Sequence, residues 1–260
     1  MSESGNLSTI QSQFRRQAEV YSTMPVVTDP ALLEFMVSVS GVAANEHVLD
    51  VASGPGYVAL AFAPHCARVI GLDATDRLVA RARVTAAERG ITNVWFALGD
   101  VERMALRASG FELATCRFAF HHFPHPATVI AEMCRVTRPG GRMVIVDMLA
   151  SEDQAKADYH NAMERLCDPS HARALPASEF ERIFTEHGLE ITFKQSRKTS
   201  YRVEDWIAHG APPPENAAKI VAMMEASIEP DQSALDVRRQ DGTLYFSHTG
   251  VSYVVRKRLS

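Results

Sequence analysis

The spacing of apolar residues changes three times along the chain. Phe14, Ala18 and Tyr21 fall at helical intervals, and Leu32, Leu33, Phe35, Met36 and Val39 do the same within 30–40. Asp29-Pro30 gives that second helix an N-cap residue and a first-turn proline. From Val48 onward, short and nearly continuous apolar runs alternate with amphipathic segments. Strands are predicted at 48–51, 68–72, 94–97, 112–117 and 142–147, with helices starting near Tyr57 and covering 76–89 and 127–135. This alternation predicts a doubly wound, mostly parallel α/β sheet whose strands are covered on both faces.

Past Leu149 the pattern loosens. Helices are predicted over 151–167 and 176–187, a strand over 189–193, and a mostly helical stretch over 201–228 broken by Pro212-Pro213-Pro214. Two final β-prone runs, 243–247 and 251–256, flank His248-Thr249-Gly250 and predict a hairpin at the sheet edge. The chain divides into N-terminal helices over the active site (1–45), an α/β core (46–150), a helical insertion or substrate lid with one core strand (151–240), and a C-terminal hairpin completing the sheet (241–260).

The most informative segment is Val48-Leu49-Asp50-Val51-Ala52-Ser53-Gly54-Pro55-Gly56-Tyr57, a strand that enters a Gly-x-Gly turn and then a helix. Glycines permit a sharp turn and a close backbone approach to a ligand, and a helix N-terminus offers free N–H groups. Gly54 to Ala59 also fits the G-x-G-x-x-A dinucleotide fingerprint. Asp73 ends the next strand, where a carboxylate can take both hydroxyls of a ribose. Gly99-Asp100-Val101 follows the third strand and puts a second acid at the same crevice, suited to an adenine amino group.

Composition narrows the class. The 260 residues are 46% hydrophobic and 22% charged with a net charge of −4, which fits a globular chain without an electrostatic footprint for nucleic acid or anionic lipid. The N-terminal residues lack the pattern of a secretory signal, and no apolar stretch reaches the ~20 residues of a membrane helix. Four cysteines form no CxxC pair, and the ten histidines show no HxH or HExxH spacing, which predicts no metal site. The expectation is a soluble, cytoplasmic monomer or homodimer acting on a small molecule.

With these motifs in order, the chain resembles the class I S-adenosyl-L-methionine-dependent methyltransferases. Arg138-Pro139-Gly140-Gly141-Arg142 before the fifth strand and Cys116-Arg117-Phe118-Ala119-Phe120-His121-His122-Phe123 after the fourth extend the resemblance. It covers 14–150 well and is closest to the small-molecule branch related to quinone-biosynthesis enzymes. Ser53 departs from the Cys or Gly often found there. The resemblance implies a Rossmann-like, seven-stranded fold, S-adenosyl-L-methionine as cofactor and S-adenosyl-L-homocysteine as product. It places Gly54 and Gly56 against the methionine part, with Asp50 and Ala52 as further contacts. Asp73 would hold the ribose, Ala74 and Val101 the adenine ring, and Asp100 its amino group. Cys116 or Arg117 would offer a carbonyl to the ammonium group, and Tyr21 would close over cofactor or substrate.

His121 and His122 follow the fourth strand at the ligand-binding edge, so they are the candidate catalytic residues, with base catalysis as one role. Substrate contacts are expected from Tyr21, His121, Tyr159, His160, Met163, His171 and Trp206. Whether O, N or C is methylated stays open. Two other readings are a nicotinamide-dependent oxidoreductase and a cyclase, or other non-methylating protein, on the same fold.

Overall fold

Helices α1 (Glu3–Thr23), α2 (Pro25–Thr28) and α3 (Pro30–Ser40) precede strand β1 (His47–Val51) in the computed structural model. The structure describes residues 3–23 and 25–259, and among the first 26 residues it describes the side chains of 8–16, 18, 19 and 22. Asp29 does cap α3: its Oδ1 accepts from Ala31 N at 3.0 Å, and Gly41 closes the helix at φ +59°.

The α/β core then alternates as its sequence pattern predicts. Helix α4 (Tyr57–Phe62) leads to β2 (Arg68–Asp73), α5 (Asp76–Glu88) to β3 (Val94–Leu98), and β4 (Phe111–Arg117) to α6 (Pro126–Val136) and β5 (Thr137–Leu149). Helices α7 (Gln154–Cys167) and α8 (Ala177–Glu186) follow, then β6 (Leu189–Arg202), α9 (Val203–Gly210), α10 (Pro214–Ala226), β7 (Arg238–Gln240) and β8 (Thr243–Lys257). Among the described residues the sheet runs β3-β2-β1-β4-β5-β8-β6, with β7 paired to β8. The first five strands are parallel, and β8 is antiparallel to both of its long neighbours.

Strand alternation divides the core between the two faces. Leu49, Val51, Ala114 and Ile145 pack with Ile130 and Met133 of α6 and Phe180 and Phe184 of α8. Val48, Val69, Leu113 and Val144 pack with Met36 of α3, Phe62 of α4 and Ala82 of α5. No helix among the described residues is long and apolar enough to cross a membrane.

The C-terminal part corrects three expectations. Residues 243–247 and 251–256 are not two arms of a hairpin but one continuous strand, β8. The hairpin that does form joins β7 to β8 through Asp241-Gly242, both at positive φ, while His248-Thr249-Gly250 stays paired with 197–199 of β6. The edge strand is therefore β6, which runs on to Arg202, nine residues beyond the apolar stretch that revealed it. Its extension is polar because it is largely exposed, and lysines and arginines on an edge strand discourage pairing with another chain. Finally, α8 lies in the main core rather than in a lid.

The ribbon of β6 and β8 overhangs the sheet. β5 pairs β8 only from Thr249 to Arg256, whereas β6 continues beside it as far as Tyr245. On this overhang, Met163, Ile220, Met224 and Phe246 join α7 and α10 in a separate apolar cluster. The overhang carries side chains past the C-terminal edge of the sheet, where open α/β folds bind ligands.

Candidate active site

Two large cavities lie over that edge. The first, about 610 Å³, is lined by Ala52, Gly54, Asp73, Ala74, Asp100 and Val101, together with residues of α1 and the loop after β4. Asp73 is buried; its Oδ2 accepts from Gly54 N and its Oδ1 from Thr75 N, both at 2.8 Å. This ties the end of β2 to the glycine turn after β1. Asp100 Oδ1 accepts from Glu102 N at 2.9 Å, which shapes the adjoining loop. Ala52 and Phe118, at φ +54° and +51°, hold left-handed conformations costly for residues with a Cβ, and both line the cleft. Gln11 Nε2 donates to Ala74 O at 3.0 Å, fastening α1 over the opening.

Beside it a small recess is lined by Asp50, Ser53, Gly54, Tyr57 and Arg117. Burial pushes the Asp50 carboxyl up to about 7, against hydrogen bonds from Thr115 Oγ1 and Ala59 N and the charge of Arg117. A cationic ligand group placed there would favour its ionised form. Ser53 Oγ is buried without a hydrogen-bond partner among the described residues and packs against Gly71 of β2. A nucleoside with a charged amino-acid tail fits these groups: two acids along the large cleft, then a buried carboxyl in the recess.

Behind the cleft, Phe120–His122 form one 3₁₀ turn anchored by Asp147 at the end of β5. Asp147 Oδ2 accepts from Ala119 N (3.0 Å) and Phe120 N (2.7 Å), and its Oδ1 meets His121 Nδ1 at 2.6 Å. A carboxylate only accepts, so the proton of this pair sits on Nδ1, and Nε2 is the nitrogen left for chemistry. Burial pulls the His121 pKa down, but the charge and hydrogen bond of Asp147 outweigh it and hold the value above the ordinary one.

His122 behaves oppositely: burial, then the neighbouring His121, lower it to about 4, so it stays neutral. Its ring lies 4.1 Å from that of His121 and edge-on to Phe14 of α1 at 5.1 Å. The turn Asp168-Pro169-Ser170-His171 closes over the pair, with Ser170 Oγ 3.1 Å from His122 Nδ1 and Ala172 N donating to His121 O.

The second cavity, about 500 Å³, is walled by His121, His122, Met148, Tyr201, Trp206 and His248, among others. Phe14, Phe118 and His122 line both cavities. Glu164 also faces the second one; burial pushes its carboxyl up, but His248 and His160 together hold it well below the usual range.

The structure thus brings Asp73, Ala74, Asp100, Val101, Ala52 and Gly54 to one cleft, Asp50 and Arg117 to the recess, and His121, His122 and Trp206 to the second cavity. Other expected contacts lie elsewhere. Gly56 lines none of these three cavities; a Cβ there would stand 2.6 Å from Phe96 Cζ and 2.9 Å from Ala82 Cβ, so packing against β3 and α5 demands the glycine. Cys116 is fully buried within the sheet. Tyr159 donates to Met223 O at 2.9 Å, and Met163 is enclosed in the cluster under α7 and α10. His160 and His171 stand one layer behind the wall, bonded to Glu164 and to Asn161 Oδ1. Tyr21 falls outside the described side chains.

Sequence reasoning missed Phe14, Asp147, Asn161, Glu164, Asp168, Ser170, Tyr201 and His248. The one local signal was Asp147, an acid closing an otherwise apolar strand, as Asp73 does.

Comparison with known proteins agrees with this geometry. Residues 43–196 match the family model described as a methyltransferase domain. The chain is 33% identical over 213 residues to the uncharacterized methyltransferase YcgJ of Bacillus subtilis, covering 82% of this chain and 84% of that one. The crystal structure of YcgJ superposes with a TM-score of 0.83, at 30% identity over 88% of this chain and 98% of that chain. The quinone-biosynthesis C-methyltransferase UbiE of Pseudomonas putida is 28% identical over 132 residues, 49% of this chain and about half (52%) of that protein. The [4+2]-cyclase SpnF, at 17% identity and a TM-score of 0.65, shares the fold alone.

Proposed function

Because the chain belongs to the methyltransferase-domain family, among the S-adenosylmethionine-dependent class I enzymes, we propose that it methylates a small apolar or heteroaromatic acceptor held in the second cavity. The observation that carries this reading is the shared wall: Phe14, Phe118 and His122 border both cavities, so a group passed between them crosses that wall.

S-adenosylmethionine, when bound, supplies an electrophilic methyl on a sulfonium. Asp73 and Asp100 would hold its ribose and adenine, and Asp50 would face its ammonium group. Phe14 and Phe118 exclude water from the transfer point, and the anchored turn fixes the acceptor side. Alignment of this kind can supply several kcal/mol of the barrier. His121 Nε2 takes the proton of an acceptor hydroxyl or amine, while Asp147 keeps the ring oriented and stabilises its charged form. The aromatic side chains of Tyr201 and Trp206 suit a flat ring, and the net charge of −4 favours a small acceptor over a nucleic acid.

The test is methyl transfer from labelled S-adenosylmethionine to a panel of phenols, aromatic amines and N-heterocycles, with S-adenosylhomocysteine and NAD binding measured alongside. Labelled product together with S-adenosylhomocysteine binding is expected. Binding of NAD but not S-adenosylhomocysteine, or cofactor binding with no methylated product from any acceptor, overturns the reading.

A further inference from the structure

His160 and Glu164 lie one helical turn apart on α7, and both face His248 on the overhanging part of β8. Glu164 Oε1 is 2.8 Å from His248 Nε2 and 3.3 Å from His160 Nε2. One ligand-type atom from each of the three side chains lies within 4.8 Å of the other two, and all three residues are buried. Bonds of about 2.0–2.2 Å to a common tetrahedral ion would place these atoms roughly 3.3–3.5 Å apart, so only small side-chain shifts separate the two arrangements.

Two imidazoles and one carboxylate are a borderline donor set that suits zinc and its first-row neighbours better than calcium or magnesium. Three protein ligands also leave a coordination position open, the arrangement that separates reactive zinc sites from structural ones. The surroundings are built to hold it. The His248 ring sits among Phe246 (4.9 Å), Tyr201 (5.5 Å) and Trp206 (6.4 Å), which restrict its rotation and limit water around it. Glu164 and His248 form part of the wall of the 500 Å³ cavity, whereas His160 lies behind them.

We propose that His160, Glu164 and His248 bind one zinc-class divalent cation whose open coordination position faces the second cavity. The site was hidden from linear reading because His248 lies 84 residues beyond Glu164 and the pair on α7 has no second histidine in register. Resting on the methyl-transfer reading, the cation would take a hydroxyl, thiol or ring nitrogen of the acceptor as its fourth ligand. That would select acceptors carrying such an atom and lower the pKa of a bound hydroxyl or thiol.

The experiment uses the full chain, stripped with chelator and dialysed separately against zinc chloride and cobalt chloride, with S-adenosylhomocysteine binding measured on every sample. One equivalent of zinc and the intense visible bands of low-coordinate Co²⁺ are expected. Glu164→Gln and His248→Asn should each weaken zinc binding by at least about tenfold and remove the bands, because losing a ligand costs more than the roughly 10–100-fold of losing a group that only orients one. S-adenosylhomocysteine affinity should stay within twofold, which reports an intact fold and cofactor cleft. If one variant loses that affinity, His160→Gln gives the same readout. Wild-type chain that takes up no stoichiometric zinc, or variants that keep it through surface histidines, overturn the metal site. Absence of S-adenosylhomocysteine binding in the wild type would instead overturn the functional reading and leave the zinc result standing.

Discussion

The cofactor cleft and the acceptor cavity share a wall but are built by different means. The cofactor side of the cleft is made by consecutive strand–loop units between residues 48 and 103, each contributing at the C-terminal end of its strand, and α1 and the loop after β4 close it. Much of its shape is backbone: the glycine turn, the left-handed Ala52 and the amides that Asp73 gathers. The acceptor cavity draws side chains from α1, α2, the turn after β4, the end of β5, α7, β6, α9 and β8. A backbone site leaves a contiguous trace in sequence. A side-chain site gathered from eight segments leaves almost none, and away from the shared wall of Phe14, Phe118 and His122 it is free to change without disturbing the cleft.

The sharpest way to break this division is to remove the base that stands beside the shared wall on the acceptor side. His121→Ala should lower kcat by about 10²–10⁴-fold, the usual contribution of a positioned base, with S-adenosylhomocysteine affinity within twofold of wild type. The wild-type kcat should rise with pH: Asp147 holds the His121 pKa above its ordinary value, so the base is protonated at low pH and released as pH climbs through that value. A kcat loss under tenfold, or a profile unchanged in the variant, would make the turn scaffolding and leave catalysis to alignment alone.

The contrast also explains what the sequence disclosed. Asp29-Pro30, Gly54 and Asp73 were legible because each acts on residues close by in the chain or at the end of the neighbouring strand. Gly56 was legible as a required glycine, but for a reason only the fold supplies, the approach of Phe96. Glu164 sits in a helix predicted over 151–167 and carried no signal of its own, and its partner His248 sat in the predicted turn of a hairpin. Both have one origin: residues 194–202 carry no apolar alternation because they form an exposed edge, so the long β6–β8 ribbon could not be foreseen. Without that ribbon, nothing places His248 opposite α7.

Within the cleft, Asp73→Ala should weaken S-adenosylhomocysteine binding by about 1–3 kcal/mol, since it leaves ribose hydroxyls and the Gly54 and Thr75 amides without their acceptor. Calorimetry measures this directly, and kcat at saturating cofactor should change far less than in His121→Ala. Unchanged affinity would remove Asp73 from the site. A collapse of kcat at saturation would mean the two halves are not separable.

The acceptor side should be marked by an acid-sensitive layer. Burial lowers His171 to about 2, so the folded chain refuses a proton that the unfolded chain accepts below about 6.5. Its contribution is therefore destabilising as pH falls below about 6.5, with a slope that approaches about 1.4 kcal/mol per pH unit below about pH 5.5. Denaturant titrations of wild type and His171→Gln across that window should differ by this slope, whatever other groups add to both. Parallel curves would show that His171 takes up its proton in the folded state.

The smallest effect is expected at the cavity wall. Trp206 is half-buried, lies edge-on to Phe246 at 5.2 Å, and contributes ring surface to the second cavity but not to the first. An aromatic acceptor stacked there gains about 0.5–1.5 kcal/mol beyond burial. Trp206→Leu keeps the site apolar while removing the ring, so KM for an aromatic acceptor should rise by roughly two- to twelvefold, the same energy written as a ratio. The value of kcat and the affinity for S-adenosylhomocysteine should hold within twofold, because neither the proton-accepting pair nor the cleft touches this side chain. Aliphatic acceptors should show a smaller KM change. An equal change for both classes would mean that Trp206 only shapes the cavity, and recognition of the acceptor ring would then rest with Tyr201 on the adjoining strand.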